Sequence, residues 1–304
     1  MMAALILPAP LQRRAEAAAG RFLRPSNAPA IDFTEPKGEP ALVPAEAVSW
    51  RVFKNPVALF IGGVAAVILE LAEPRVRAGV WEHTSFRTDP VTRLQRTGLA
   101  AMVTVYAARS RAERMIAGVN RRHSAVTGRA EDGRAYAAND PELLDWVQAT
   151  ASYGFGEAYH RFVRPLSPAE RDRAWAEATP TARLYGATGA PASHAAWQAQ
   201  LQAMTPRLTP SPIVLEFLEI MRRAPVLPAP ARPLQHLLVR AAVSLTPPEV
   251  ARTLGLEDRL PLAPPERGAV RLLAQGADRL LLRNGPPAQA CARVGLPADW
   301  LYRS

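Results

Sequence analysis

The sequence predicts an all-α protein built as a single multi-helix domain. No run of residues alternates apolar and polar positions at a period of two, as a half-buried strand would. Alanine, leucine and arginine dominate the composition, and these residues favour helices. Several segments also begin with an acidic or hydroxyl residue followed directly by proline, which is typical of the first turn of a helix.

We divide the chain into an N-terminal arm, residues 1–45, and a helical domain, residues 46–304. The arm is rich in proline and alanine and contains the polar run DFTEPKGEP, so we expect little regular structure in it. The apolar run at its start is short and follows no basic region, which argues against a signal peptide. Cys291 is the only cysteine, which fits a cytoplasmic protein and excludes a disulfide within one chain.

The chain has a formal net charge of +10 at pH 7, and all but two of its basic residues are arginines. The arginines are spread along the chain, whereas proteins that bind nucleic acids concentrate them on one element. Residues 245–256 resemble the first half of a helix-turn-helix, but too many prolines follow for a recognition helix. We therefore expect no nucleic-acid partner, while a peripheral contact with an anionic membrane stays open.

The most apolar segment is residues 55–72, NPVALFIGGVAAVILELA. It is nearly as long as the roughly 20 residues that span a bilayer. It contains Glu70 and the pair Gly62-Gly63, and no second segment of this kind accompanies it. We interpret it as a buried core helix, with membrane insertion as the alternative.

Capping residues and prolines mark where most helices begin. Asp89 followed by Pro90 predicts one start, and Ser110 with Glu113 predicts another through a capping box. Residues 127–139 read as a glycine-rich loop. The expected helices cover 56–71, 75–85, 90–108, 110–126, 141–164, 168–185, 194–204, 212–223, 234–243, 247–254 and 265–282.

One of the five histidines lies on the apolar face of the helix expected over residues 110–126. A lone histidine on such a face is often simply packed in the core. A buried neutral imidazole also offers a lone pair that suits haem iron or zinc. Both interpretations stay open on spacing alone. The apolar stripe comprises Ala112, Met115, Ile116, Val119, His123 and Val126.

Polar groups border the apolar side of the helix expected over residues 90–108. Thr97 lies at the edge of that side, Arg93 is one turn before it, and Arg96 is one turn from Arg93. A buried guanidinium needs an acidic partner or a ligand anion. The alternative is a surface helix whose arginine stems cover apolar groups.

Three glutamates are candidate partners for these arginines. Glu70 interrupts the apolar segment, so it must be paired, protonated or near the end of the buried stretch. Glu73 follows shortly after. Glu82, next to His83, could serve as a base beside a second ligand, or the two could form an ion pair in a loop.

A family resemblance rests on four stretches around the His123 helix: GGVAAVILELAEP, GVWEHTSFRTDPVTRLQRT, GRAYAANDPELLDWVQAT and RPLSPAERDRAWAE. They resemble the family of MpaB and the rubber oxygenases, also called latex-clearing-protein-like. The joined pattern of FRTDP, RLQRT, NDPELL and LSPAERD is specific. The resemblance covers roughly residues 50–255, most of the chain.

The resemblance implies a globin-reminiscent helical core and, in the rubber-cleaving members, one haem b held by a single proximal histidine. By position, His123 matches that iron ligand, and Arg93 and Thr97 match the arginine and threonine of the distal-side helix. Arg96 falls where that branch has a lysine that can cap the iron. Arginine stays protonated and is a poor ligand, so an open sixth position is implied.

A glutamate serves as the proposed base in that branch and has no certain counterpart here. We prefer Glu82, with Glu70 second. The predicted site therefore comprises Arg93, Thr97 and Glu82 as catalytic groups, with His123 as the metal ligand and Arg96 beside the cofactor.

The function that the resemblance implies is a haem-dependent oxygenase. It would use dioxygen to cleave a double bond of a small hydrophobic, isoprenoid-like substrate. Two positions depart from the family pattern: many members read AHP where this chain has Ala72-Glu73-Pro74, and many have histidine where Gln148 stands. These departures leave an alternative open, a non-haem helical protein that binds a lipid-like ligand or a partner without redox chemistry.

Overall fold

The structure, a computed structural model, describes residues 4–22, 31–227 and 229–303. Within these residues it consists of helices and one two-stranded sheet, so the predicted all-α class is confirmed. The helices are α1 (Ala9–Phe22), α2 (Val48–Phe53), α3 (Pro56–Ala72), α4 (Pro74–Glu82), α5 (Pro90–Tyr106), α6 (Arg109–His123), α7 (Pro141–Phe162), α8 (Pro168–Leu184), α9 (His194–Met204), α10 (Pro212–Arg223), α11 (Arg232–Val243), α12 (Pro248–Thr253), α13 (Pro264–Arg279) and α14 (Pro286–Arg293), and the strands are β1 (Thr127–Arg129) and β2 (Ala135–Ala137).

The N-terminal arm contains a helix, α1, where the sequence predicts little regular structure. The segment of α1 is rich in alanine, which favours a helix once the chain is held nearby. Leu5 provides that anchor, because its backbone pairs with residues 279–281. Residues 31–45 contain no helix or strand, and residues 1–3 and 23–30 lie outside the described residues.

The segment between α6 and α7 forms a hairpin instead of the predicted loop. Strand β1 pairs with β2 in antiparallel register, with Thr127 opposite Ala137. Gly133 turns the chain with a φ of 81°, a conformation that favours glycine. Two strands of three residues leave too few positions for an alternating pattern to be visible in the sequence.

The capping box predicted at Ser110 and Glu113 is wrong. Helix α6 begins at Arg109, and its N-terminus has no side-chain cap of its own. Glu39, from the N-terminal arm, instead accepts hydrogen bonds from the backbone N–H and the hydroxyl of Ser110, at 2.5 and 3.0 Å. A partner 71 residues away replaces the local cap, and local spacing could not reveal it.

Helices α3 and α7 cross at the centre of the core and run antiparallel. Their backbones meet at two glycines, since a Cβ at Gly62 would lie 2.7 Å from the carbonyl oxygen of Gly154. Farther along the pair, the indole N–H of Trp146 donates to the carbonyl oxygen of Leu69 at 3.2 Å. Helix α3 is buried along most of its length. The close approach fixes which faces of α3 and α7 point away from each other.

No single helix in the described ranges is long and apolar enough to cross a membrane, although α3 and α4 together, bent by 114°, meet that length and composition.

Aromatic rings hold α7, α8 and α9 together. Trp197 of α9 stacks on Trp146 and Tyr153 of α7 and on Trp175 of α8, with ring centroids 5.0–5.8 Å apart. Helix α8 begins at the predicted position, Pro168, with a capping box of Ser167 and Glu170. This arrangement places α8 along α7, on the side where the cavity described below lies.

We predict that Gly62→Ala destabilises the protein by about 1–3 kcal/mol, because the added methyl group overlaps the backbone of α7. Gly63→Ala is the matched control on the same helix, since the nearest atom to its Cβ position is 3.8 Å away. We expect this change to be neutral or stabilising by up to about 1 kcal/mol. Urea unfolding measures both, and equal stabilities for the two variants would contradict the proposed close approach.

Candidate active site

A cavity of about 440 Å³ lies between α3, α5, α7 and α8, with α6 closing one end. Its walls are mostly apolar. On α7 the lining runs from Leu144 to Glu157, which corresponds to about 20 Å along a helix. A long apolar cavity with a few polar groups is the usual form of a small-molecule site. Apolar lining residues include Val64, Val67, Leu94, Ala101, Val105 and Phe155.

Helix α5 presents Arg93 and Thr97 to this cavity, one turn apart. Asp89 caps the helix, accepting from the backbone N–H of Thr92 at 3.2 Å, and Pro90 occupies its first turn. The Arg93 guanidinium donates through Nη1 to the Thr97 hydroxyl, which donates to the Arg93 carbonyl oxygen at 3.0 Å. The Nε of Arg93 is buried and has no hydrogen-bond partner among the described residues.

Helix α6 ends at His123, whose imidazole lines the same cavity. Its Nδ1 is buried without a hydrogen-bond partner within the described part of the chain. Burial lowers the pKa of His123, and the positive charges of Arg122 and Arg93 lower it further. The neutral ring therefore dominates at neutral pH and keeps a lone pair for a metal ion.

Glu70 lines the cavity, as do the carboxyl groups of Glu157 and Glu177. Burial raises the pKa of Glu70 from 4.5 to about 7, and the positive charge of Arg93 offsets part of this effect. Burial in turn lowers the pKa of Arg93, while Glu70 raises it. The carboxyl group of Glu70 has no hydrogen-bond partner among the described residues, so it interacts with Arg93 only at longer range. A carboxyl group with this pKa can take up or release a proton near neutral pH.

Two of the predicted site residues lie outside the cavity lining. The carboxylate of Glu82 is exposed and accepts a hydrogen bond from the Tyr136 hydroxyl at 3.0 Å, and His83 Nε2 lies 3.2 Å from the same hydroxyl. Arg96 is exposed on α5, close enough for its charge to lower the pKa of Arg93. The structure thus brings together His123, Arg93 and Thr97.

The two departures from the family pattern fall in different places. Gln148 of α7 lines the cavity. Glu73 is fully buried at the junction of α3 and α4, where it accepts from the Arg75 Nε at 3.0 Å and from the backbone N–H of Val76 at 2.8 Å. Glu73 therefore caps α4 and does not line the cavity.

The cavity offers the His123 side chain as a metal ligand, which is enough for a metal whose other ligands belong to a cofactor. No group of three or more His, Cys, Asp or Glu side chains that could hold a metal ion occurs in residues 4–22, 31–227 and 229–303. A haem needs only one axial ligand from the protein. The unpartnered imidazole nitrogen of His123, in a mostly apolar cavity, suits such a group.

Sequence reasoning missed several polar groups in the cavity lining. Tyr185 lies 2.8 Å from the Thr104 hydroxyl, and at the far end Glu157, Arg171 and His194 face the same space. These residues come from α5, α7, α8, the residue directly after α8, and the start of α9. No spacing within one helix links them, so only the tertiary structure brings them together.

The chain matches a family model over residues 50–279, most of its length. That model describes the catalytic domain of the ER-bound oxygenase mpaB/B' and rubber oxygenase.

The chain belongs to this family.

The matched segment runs from within α2 to the last residue of α13 and contains Glu70, Arg93, Thr97 and His123. Searches of curated proteins and of solved structures found no match to the chain. The family resemblance inferred from the sequence motifs is therefore confirmed.

Glu70→Gln should change how stability depends on pH. The folded pKa of about 7 lies above the ordinary 4.5, so the folded state binds the proton more tightly and stability falls as the pH rises between these values. At pH 8 the ionised carboxylate of Glu70 lowers the free energy of unfolding by up to about 3 kcal/mol. The variant should thus be more stable than the wild type at pH 8 and similar to it at pH 4.5.

Urea unfolding at the two pH values measures this difference. A gap between variant and wild type that is the same at both pH values would show that the pKa of Glu70 is not raised in the folded state.

Proposed function

We propose that this member of the mpaB/rubber oxygenase family is a haem-dependent oxygenase that cleaves a double bond of a hydrophobic, isoprenoid-like substrate with dioxygen. The observation that carries the proposal is the unpartnered imidazole nitrogen of His123 in a mostly apolar cavity. The family match over residues 50–279 supports oxygenase chemistry in general.

In this proposal His123 is the protein ligand to the haem iron. Its lowered pKa keeps the lone pair free near neutral pH. Bound there, haem b would supply the iron that activates dioxygen. Arg93 and Thr97, already hydrogen-bonded to each other, orient polar groups on the α5 side of the cavity. Arg96 adds a second positive charge near Arg93 and, as a permanently protonated group, cannot act as a ligand itself.

Proton transfer falls to Glu70 rather than to Glu82. A base must lie within hydrogen-bond reach of the proton that it takes, and Glu70 faces the cavity whereas Glu82 is exposed and bonded to Tyr136. The raised pKa of Glu70 also matches a group that exchanges protons near neutral pH. The role predicted for Glu82 from the sequence stays a prediction that mutation can test.

The apolar walls have a part in the chemistry as well. They bind a hydrocarbon chain through burial of apolar surface. They also keep water away from the reacting double bond, which prevents side reactions. The cavity surface is mostly apolar, so an extended hydrocarbon can occupy it.

An absorption spectrum tests the haem ligand. Protein expressed with haem supplementation should show a Soret band with stoichiometric iron, and His123→Ala should lose most of both. His236→Ala is the matched control, because His236 lies outside the cavity lining and bonds to the Arg222 carbonyl oxygen at 3.1 Å. A wild type without a Soret band that co-purifies with a lipid by native mass spectrometry would instead support the non-haem ligand-binding alternative.

Oxygen uptake with an isoprenoid substrate separates the two glutamates. We expect Glu70→Gln to lower the rate by about 100-fold or more, the usual contribution of a general base. The rate of the Glu82→Gln variant is measured in the same assay for comparison with Glu70→Gln. If Glu82→Gln abolishes turnover while Glu70→Gln does not, the base is Glu82 and a rearrangement of α4 must bring it to the substrate.

A further inference from the structure

The cavity has a second polar end that the proposed chemistry does not use. Glu157 near the end of α7, Arg171 in the first turn of α8 and His194 at the start of α9 all line it. Glu157 exposes only 8% of its side chain, and Arg171 exposes 28%. An ion pair that merely stabilised the surface would not need to face the cavity, so these side chains are candidates for binding a ligand.

Only one nitrogen of the Arg171 guanidinium, Nη2, makes hydrogen bonds to the described protein atoms. Its Nη2 donates to Glu157 Oε2 at 3.1 Å and lies 3.5 Å from His194 Nδ1. Because arginine can only donate, His194 Nδ1 is the acceptor, and the neutral ring carries its proton on Nε2. The Nε and Nη1 of Arg171 donate to no described protein atom. A guanidinium edge is therefore free for a ligand.

The charges at this end suit a single negative charge. Two guanidinium groups share one carboxylate, because Arg161 also bonds to Glu157, at 2.6 Å. Asp172 is exposed and accepts from the backbone N–H of His194 at 2.9 Å. Glu177, which also lines the cavity, accepts from the backbone N–H of Val48 at 2.8 Å. The free edge of Arg171 matches the two oxygens of a carboxylate. A diphosphate would bring more negative charge than one partly neutralised arginine can balance.

Small side chains line the way from this end to the rest of the cavity. Ser152 and Gly156 lie one turn apart on α7, and Ala174 and Ala178 lie one turn apart on α8. A Cβ at Gly156 would meet no heavy atom within 4 Å. From Glu157 back to Gln148, nine residues along α7, the distance is about 14 Å. A hydrocarbon chain can thus join the two ends.

We propose that Arg171 and His194 bind the carboxylate of an elongated unsaturated acid, whose hydrocarbon chain passes Gly156 and places a double bond near Glu70, Arg93 and His123. This inference rests on the proposed function, because it names the polar group of the substrate of the same cavity. Arg171 is a binding residue here, and Glu157 positions it.

Binding of oleic acid and of methyl oleate tests the carboxylate site, measured at pH 8 on the purified full-length protein by tryptophan fluorescence. Trp175, which lines the cavity near Arg171, serves as the reporter. The wild type should bind the acid at least tenfold more tightly than the ester, and Arg171→Gln should abolish this preference. Arg173→Gln is the matched control, because Arg173 is 54% exposed on the same helix and outside the cavity lining.

Gly156→Leu tests the part of the cavity that joins its two ends, without removing a charge. Leucine is a better helix former than glycine, so the variant should fold, and it should weaken binding of both probes at least tenfold. Gly276→Leu on α13 also adds a side chain where no atom lies within 4 Å, but outside the cavity, and should change neither affinity.

Equal affinity for acid and ester, or a preference that survives Arg171→Gln, would overturn the proposal. Tighter binding of oleyl phosphate than of oleic acid would also overturn it, because the head group would then be a phosphate. The proposal fails as well if neither oleic acid nor methyl oleate binds. Because no turnover is needed, carboxylate binding without a Soret band would leave this inference standing while the haem-dependent function fails.

Discussion

The crossing of α3 over α7 sets the geometry on which the rest of the molecule depends. Gly62 and Gly154 let the two backbones touch, so the helices form one rigid central pair. Glu70 near the end of α3 and Gln148 on α7 then face the same side. Helices α5 and α8 lie across that side and form the facing wall. The space left between the two layers is the cavity.

The low polarity of this cavity decides the chemistry of the few charged groups inside it. Burial shifts Glu70 and His123 towards their neutral forms, raising the pKa of Glu70 and lowering that of His123. Arg93 stabilises the charged form of Glu70 and the neutral form of His123. A single arginine therefore links the acid–base group to the candidate metal ligand, although they come from different helices.

The two positions at which this chain departs from the mpaB/rubber oxygenase pattern lie in different surroundings. Glu73, which stands where many relatives have histidine, is bonded to Arg75 and caps α4 away from the cavity. Gln148, the other departure, does face the cavity. Of the two departures, Gln148 is thus the one that can contact a ligand in the cavity.

Local signals in the sequence were enough to predict most of the helices. Asp89 with Pro90 and Ser167 with Glu170 cap helices where they were expected, because a cap is satisfied by residues within one turn. The prediction for Ser110 was wrong because its partner, Glu39, comes from the N-terminal arm. Helix α1 and the hairpin at residues 127–137 also depend on contacts or lengths that no periodic pattern reveals.

The sequence by itself predicted the helical class, the family and three candidate site residues, His123, Arg93 and Thr97, since capping signals and spacing indicate the helices and the family motifs indicate the positions. The tertiary structure alone decided which glutamate enters the cavity, Glu70 rather than Glu82, and that Arg171 and His194 line its other end. The physical reason is that spacing along one helix says nothing about the angle and distance at which a second helix packs. That packing is set here by glycine contacts and aromatic stacking between residues far apart in the chain.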